Sequence, residues 1–277
     1  MSANRDETGA SELRFAFGEN WRRFLSRVDE DRVRLATKSL QDLLNREDLN
    51  DVRFIDVGSG SGLFSLAARR LGAEVLSFDY DRHSVACTDE LRRLFQPNDG
   101  AWTVQHGSVL DAEFLSALGS FNVVYSWGVL HHTGDMWKAL DLVHSLVAQD
   151  GLLVLGIYND QGRSSKIWLR IKQIYNRLPA SLRWLIVLPC FVRLWGPTMI
   201  RDLLRGRPLH TWNHYADESV RGMSPWYDLI DWVGGLPFEV AKPEELLEFY
   251  RERGFELSGL RTCAGGIGCN EFVFRRA

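Results

Sequence analysis

Three clusters of residues have types and spacing that could do chemistry. The first is Phe54-Ile55-Asp56-Val57-Gly58-Ser59-Gly60-Ser61-Gly62, an apolar run that carries an acid straight into alternating glycines. Glycine permits a tight turn and lets a ligand approach main-chain N–H groups. The dinucleotide pattern G-x-G-x-x-G would need glycine at 63, where Leu63 stands. A phosphate-binding P-loop is excluded too, because no Gly-Lys-Ser/Thr follows. An acid at position 56, ahead of the glycines, suits a ligand that carries an ammonium group. The second cluster is formed by the ends of the next two apolar runs. Asp79 comes 21 residues after Gly58, where a carboxylate can accept both hydroxyls of a ribose. His106-Gly107-Ser108-Val109 follows, where backbone could meet an adenine edge. The third cluster is Ser126-Trp127-Gly128-Val129-Leu130-His131-His132.

The elements that must position these groups alternate along the chain. Arg53–Val57, Glu74–Phe78, Trp102–Gln105, Phe121–Tyr125 and Leu152–Tyr158 are short apolar runs suited to buried strands. Helical stretches lie between them. Leu63–Leu71 stops at Gly72, Ser84 can cap a helix through Phe95, and Asp135 can cap one that ends at Gly151. Arg32–Leu44 has near-helical apolar spacing, and Pro243 opens a further helix that Gly254 ends. Phe255–Leu260 and Glu271–Phe274 read as strands joined by a Gly-rich turn. Strand–helix alternation at this spacing predicts an α/β fold with a doubly wound, mainly parallel sheet.

Taken in order, Asp56-x-Gly-x-Gly-x-Gly, Asp79 and the Ser126–His132 run resemble a class I S-adenosylmethionine-dependent methyltransferase over residues 51–160 and 240–277. That resemblance implies a Rossmann-like, seven-stranded sheet whose seventh strand is antiparallel beside the fifth. It implies S-adenosyl-L-methionine as cofactor. Gly58, Ser59, Gly60 and Gly62 would line its methionine part, with Asp56 near the ammonium. Asp79 would hold the ribose and Tyr80 would flank the adenine. Ser108 stands where many relatives place an adenine-contacting Asp, so backbone at Ser108 and Val109 takes that contact, and Trp127 joins the cofactor set. A structural turn in a catalytically silent domain is the plainer alternative.

Methyl transfer asks the protein to align a nucleophile and exclude water. A hydroxyl acceptor gains from a base near neutral pKa, which favours histidine. His131 and His132 fall at the carboxyl edge, where open α/β sheets bind ligands, and are the candidate bases. The alternative is that one of them packs or caps the next helix. No third ligand has metal spacing, so no metal site is expected. Tyr158 and Asn159 end the fifth run at the same edge and are candidate acceptor contacts. Phe17 and Trp21 fall in an N-terminal segment, 1–50, that is helical in part and could lid the site. Cys263 and Cys269 flank the Gly-rich turn and read as structural.

Residues 161–238 break the alternation and read as a mainly helical insertion after the fifth strand. Within 163–212 stand ten Lys or Arg against one acid, Asp202, a local charge of +9 that leaves −12 for the rest of a chain whose net charge is −3. Trp168, Trp184, Trp195 and Trp212 lie in the same stretch. Ile167, Ile171, Ile174 and Leu178 recur at helical spacing, with Arg170, Lys172 and Arg177 facing elsewhere. Pro189 and Pro197 are expected to break the stretch into short helices that lie on an anionic membrane surface. The competing readings are a cap on the domain's own core, a homodimer interface, and a surface for RNA phosphates with tryptophans stacked on bases. RNA ranks last, because an unbroken apolar run is poor for a solvated groove. The placement loosely resembles ubiquinone-biosynthesis O-methyltransferases, which implies a small lipophilic or phenolic acceptor. An RNA methyltransferase and a non-catalytic protein of the same fold remain the alternatives.

The 277 residues, 45% hydrophobic and 25% charged, exclude wholesale disorder. The polar N-terminus has no secretory h-region, and the apolar run Trp184–Val192 falls short of the roughly 18 residues of a spanning helix. The expectation is a cytoplasmic protein with peripheral membrane contact through 163–212.

Overall fold

The computed structural model describes residues 28–96, 99–218 and 224–277. Phe17 and Trp21 lie outside the described residues. The described chain divides into two compact units, one spanning Gly162–Phe238 and the other joining residues 28–161 to Glu239–Ala277.

The second of these is an α/β unit. Its strands are β1 (Arg53–Val57), β2 (Glu74–Asp79), β3 (Trp102–His106), β4 (Phe121–Trp127), β5 (Val147–Tyr158), β6 (Phe255–Arg261) and β7 (Cys269–Arg276). They form one sheet in the order β3-β2-β1-β4-β5-β7-β6. Strands β1 to β5 are parallel, and β7 runs antiparallel to both β5 and β6. This is the sheet that the methyltransferase resemblance implied. The reason is visible in the side chains. Phe54, Ile55 and Val57 on β1 and Leu152 to Leu155 on β5 are buried on alternating faces, so both faces of the sheet must be covered.

Helices α1 (Glu30–Leu44), α2 (Leu63–Arg70), α3 (Arg82–Phe95), α4 (Ala112–Leu118) and α5 (Met136–Val143) belong to this unit. α1 opens with Asp29 accepting the Arg32 N–H at 2.9 Å and buries Val33, Ala36, Leu40 and Leu44. Two boundaries differ from the sequence expectation. Asp81, not Ser84, caps α3, accepting the His83 N–H at 2.8 Å, while Ser84 is buried inside the helix. The carboxylate comes first in the chain and is the stronger acceptor. α5 stops at Val143 rather than Gly151, because Val147 already pairs with Phe121, and a register shift between Phe121 and Val123 absorbs the offset.

The other unit is helical, with α6 (Arg163–Arg177), α7 (Trp184–Leu204), α8 (His210–Glu218) and α9 (Pro225–Gly234). Here the structure overturns two expectations. α7 is one helix of 21 residues with Pro189 and Pro197 inside it, not a set of short helices. Each proline removes one hydrogen bond and costs about 3 kcal/mol. Packing on one side of the axis offsets this: Val187 and Cys190 are buried, and Phe191 and Trp195 meet the Trp212 ring edge to face. On α6 the three basic residues grouped together in the sequence separate, Lys172 buried and Arg170 and Arg177 exposed. Trp168, Lys172, Tyr175 and Asn176 are buried, whereas Ile167 and Ile174 are exposed. Aromatic rings bury more area than isoleucine, and Trp168 finds the edge of Trp232 at 5.5 Å.

After the insertion the chain rejoins the α/β unit through α10 (Pro243–Arg251), which buries Leu246 and Tyr250. Its first turn opens with Pro243, and the Lys242 N–H donates to Glu245 Oε2 at 2.8 Å. Among the described residues, no helix is long and apolar enough to cross a membrane.

Candidate functional site

The glycine turn between β1 and α2 follows a left-handed path, with φ of 81°, 55° and 79° at Gly58, Gly60 and Gly62. Two of these glycines also make room. A Cβ at Gly58 would stand 2.3 Å from Val129 Cγ1, and one at Gly62 would stand 2.8 Å from Thr88 Cγ2. The turn is stitched to β2. The N–H groups of Gly58 and Ser59 both donate to Phe78 O, at 2.9 and 3.1 Å. Asp79 accepts the Gly60 N–H at 2.9 Å on one carboxylate oxygen and the Asp81 N–H at 2.8 Å on the other. Ser59 Oγ meets Thr88 Oγ1 at 2.9 Å.

Asp56 lies beneath this turn and is 4% exposed. Its Oδ2 accepts a 2.5 Å bond from Ser65 Oγ; Ser65 in turn accepts from Ser77 Oγ at 2.7 Å, and Ser77 from Trp102 Nε1 at 2.9 Å. Burial pushes Asp56 up to about 7; the Ser65 bond offsets part of this, and the neighbouring Asp79 adds repulsion. Burial likewise pushes Asp79 up to about 6 against the pull of the Gly60 and Asp81 N–H groups. Two carboxylates that resist ionisation are set to gain from a cation and from hydroxyl donors. That donor set fits a ligand bearing an ammonium group and a ribose. The Ser65–Ser77–Trp102 chain was not foreseen. Its one sequence signal is a serine on the otherwise apolar inner face of α2.

At the ends of β2 and β3, the exposed Tyr80 ring lies 6.3 Å from the His106 ring, and His106 Nε2 contacts Tyr80 O at 3.0 Å. Ser108 Oγ accepts the Leu110 N–H at 3.2 Å. Val109 turns its side chain into the core with Val57, Phe78 and Leu130, leaving only backbone for a ligand.

The turn after β4 separates the two histidines. His131 is fully buried; its Nδ1 accepts the Tyr158 N–H at 3.3 Å, and its ring lies 3.8 Å from the Tyr158 ring. It packs against Tyr158 at the end of β5. His132 is half-buried, with its ring edge-on to Tyr158 at 5.3 Å. Trp127 ends β4 beside β5 and β7. Its Nε1 donates to Glu271 at 2.9 Å, and its indole covers Gly156, where a Cβ would come within 2.6 Å. Asn159 is committed to the 264–268 turn, donating to Gly266 O at 3.3 Å and accepting from Asn270 at 3.1 Å. Cys263 Sγ faces Gly266 O at 3.2 Å in the same turn. Glu239, absent from the sequence expectation, grips the histidine turn from both sides. Its N–H donates to His131 O at 3.0 Å, and its carboxylate accepts the first N–H of α5, that of Met136, at 3.0 and 3.2 Å. Among the described residues, no three His, Cys, Asp or Glu side chains gather as a metal set.

Residues 23–216 match the family model described as a methyltransferase domain. The chain belongs to this methyltransferase family. The ubiquinone biosynthesis O-methyltransferase of Cereibacter sphaeroides is 28% identical over 139 residues, covering 50% of this chain and 54% of that protein. The protein of the same name from Parvibaculum lavamentivorans is 28% identical over 115 residues, 39% of this chain and 41% of the relative. The chain thus spans about half the length of the curated relatives it matches. Among solved structures, magnesium protoporphyrin IX methyltransferase from Synechocystis PCC 6803 superposes with a TM-score of 0.55 at 13% identity, covering 95% of each chain. An O-methyltransferase family protein from Burkholderia thailandensis gives 0.52 at 14% identity, covering 88% of this chain and 57% of that one. These two share the fold.

Proposed function

We propose that this methyltransferase moves a methyl group from S-adenosylmethionine to the hydroxyl of a small lipophilic or phenolic acceptor. The observation that carries the reading is the pair of carboxylates, Asp56 and Asp79, that bracket a left-handed glycine turn at the carboxyl edge of a parallel sheet. The names of the ubiquinone-biosynthesis relatives support the choice of an oxygen acceptor. The cofactor, when bound, supplies a methyl carbon on a sulfonium, whose bond to sulfur breaks as the acceptor oxygen bonds to carbon.

The residues of the chain do the rest. Asp79 exchanges main-chain N–H partners for ribose hydroxyls, and Gly60 frees its N–H in the same exchange. Asp56 acts as a negative charge under the turn, opposite the ligand's ammonium. Tyr80 and the backbone at Ser108 and Val109 border the adenine. His132 takes the acceptor proton, held by the Tyr158 ring and by the turn that Glu239 anchors. His131 is a positioning residue.

Two variants test this with labelled cofactor and a panel of phenols and aliphatic alcohols. Asp79→Ala should weaken cofactor binding by calorimetry, losing charge-assisted bonds of about 1.5–3 kcal/mol each at most. His132→Gln should keep cofactor affinity and lose about 10²–10⁴-fold in turnover. Normal turnover by His132→Gln across roughly pH 6–9 removes the base from the scheme. Unchanged affinity in a folded Asp79→Ala protein removes the cofactor assignment.

A further inference from the structure

We propose that α6 and α7 form a docking face for anionic phospholipid. This inference is independent of the methyl-transfer reading, since it rests on the outer surface of the helical unit alone. α7 is apolar on two sides. It buries Val187 and Cys190, yet Leu185, Leu188, Val192, Ile200 and Leu203 are exposed. At 3.6 residues per turn these five fall along one stripe, about 27 Å long from Leu185 to Leu203. Trp184, 59% exposed, stands at its start. On α6 the exposed Ile167 and Ile174 share a face with exposed Arg170 and Arg177, an alternation in which the long arginine stems lie along apolar surface and lift their charges outward.

Charge decides the occupant. Of the ten Lys and Arg in 163–212, eight are exposed, Arg183 is half-buried and Lys172 is buried. The one acid, Asp202, is turned inward, accepting the Thr211 N–H at 2.7 Å and the Thr211 hydroxyl at 2.9 Å. The exposed surface of this stretch therefore carries cations and aliphatic side chains and no acid. A second copy would bring the same cations against it. A nucleic acid would leave the leucine stripe against water. An anionic bilayer surface satisfies both features, with phosphates for the arginines and the acyl boundary for the stripe.

The full chain is tested by co-sedimentation with vesicles of phosphatidylcholine containing phosphatidylglycerol, and with vesicles of phosphatidylcholine alone. The expected result is binding to the first and not to the second at low salt, released at about 1 M salt, where the Debye length falls to about 3 Å. Arg170→Ser with Arg177→Ser should weaken binding roughly 30-fold, at about 1 kcal/mol per cation. Leu188→Glu with Val192→Glu should abolish it, while circular dichroism and the melting temperature stay unchanged. These sites are exposed, so folding tolerates the changes. Failure to bind either vesicle overturns the proposal, as does equal binding to both. A salt-insensitive dimer in sedimentation velocity, broken by the Leu188→Glu and Val192→Glu changes, also overturns it by assigning the stripe to a second copy.

Discussion

Replacing Asp56 by Asn separates charge from shape at a carboxyl held up to about 7 by burial. In the unliganded protein the folded carboxyl binds a proton that the unfolded one releases, so this contribution to stability is lost as the pH rises from about 4 to about 7. Asp79, pushed up to about 6, acts in the same direction, and the two titrate as a pair. A bound ammonium reverses the preference, favouring the ionised form. Cofactor affinity should therefore rise, by at most about tenfold per pH unit, between about pH 5 and 7. Calorimetry in buffers of different ionisation enthalpy should show proton release on binding in that range. Asp56→Asn should flatten the pH dependence and raise the unliganded melting temperature at pH 8. A pH slope unchanged in that variant would place the titration elsewhere. Asp79 and the glycines were legible in the sequence because strand ends and chain spacing fix them. The Ser65–Ser77–Trp102 chain was not, since its links span β1, α2, β2 and β3 and leave no local pattern. Glu239 was hidden for the same reason: its partners, His131 and Met136, lie more than a hundred residues earlier.

Elements hold one another by close approach. Gly58→Ala meets two separate penalties: a left-handed φ of 81° and a collision with Val129. The first costs about 1–2 kcal/mol and the second about 1–3 kcal/mol. Adding Val129→Ala should recover the steric part only. Denaturation of the two single variants and the double should show a positive coupling, and simple additivity would mean that Val129 moves aside freely. α6 and α9 meet in a different way. Lys172 Nζ donates to Trp232 O and sits 4.7 and 4.6 Å from the Trp232 and Phe238 rings, while Asn176 donates to Gly234 O at 2.7 Å. Together they satisfy carbonyls at the end of α9. Burial still outweighs these partners and lowers Lys172 to about 7, despite Asp231 nearby. The folded state then binds fewer protons than the unfolded one between about pH 7 and 10.4, so this contribution to stability rises with pH across that window. Lys172→Met should remove the rise, read by urea denaturation at pH 7 and 9. The sequence pattern grouped Lys172 with Arg170 and Arg177 by charge, whereas it is buried with Trp168 and Tyr175. Ring packing between helices, which periodicity does not record, set the rotation.

For the whole molecule, the decisive detail is where the chain leaves and rejoins the α/β unit. Ala241 N–H donates to Tyr158 O at 3.0 Å, and Asp160 N–H donates to Ala241 O at 3.1 Å. The two ends of the helical insertion are therefore neighbours in a bridge that belongs to the α/β unit. Excising 162–238 and joining the ends by a short Gly-Ser linker should leave a folded sheet, since loop closure depends only weakly on length. Circular dichroism and binding of S-adenosylhomocysteine would check it, and an insoluble or unfolded product would show that the sheet needs the insertion. The strands were legible as buried apolar runs of the right length, and their order followed only from the family resemblance. The insertion's tertiary arrangement was not, because its helices offer apolar residues on more than one side.

The position of β7 has a consequence for the order of synthesis on the ribosome. β7 fills the gap between β5 and β6, yet it is the last strand made. From the moment Tyr158 emerges, β5 must wait for roughly 110 more residues before its neighbour exists. At about 5–20 residues per second the wait is on the order of 5–20 s. Throughout it, one side of β5 is an unpaired edge of apolar side chains, the kind of surface that captures other nascent strands. The acidic Glu271 and the arginines Arg275 and Arg276 arrive only with β7 itself. A chaperone with access to nascent chains has its clearest target in that interval, at Leu152–Ile157.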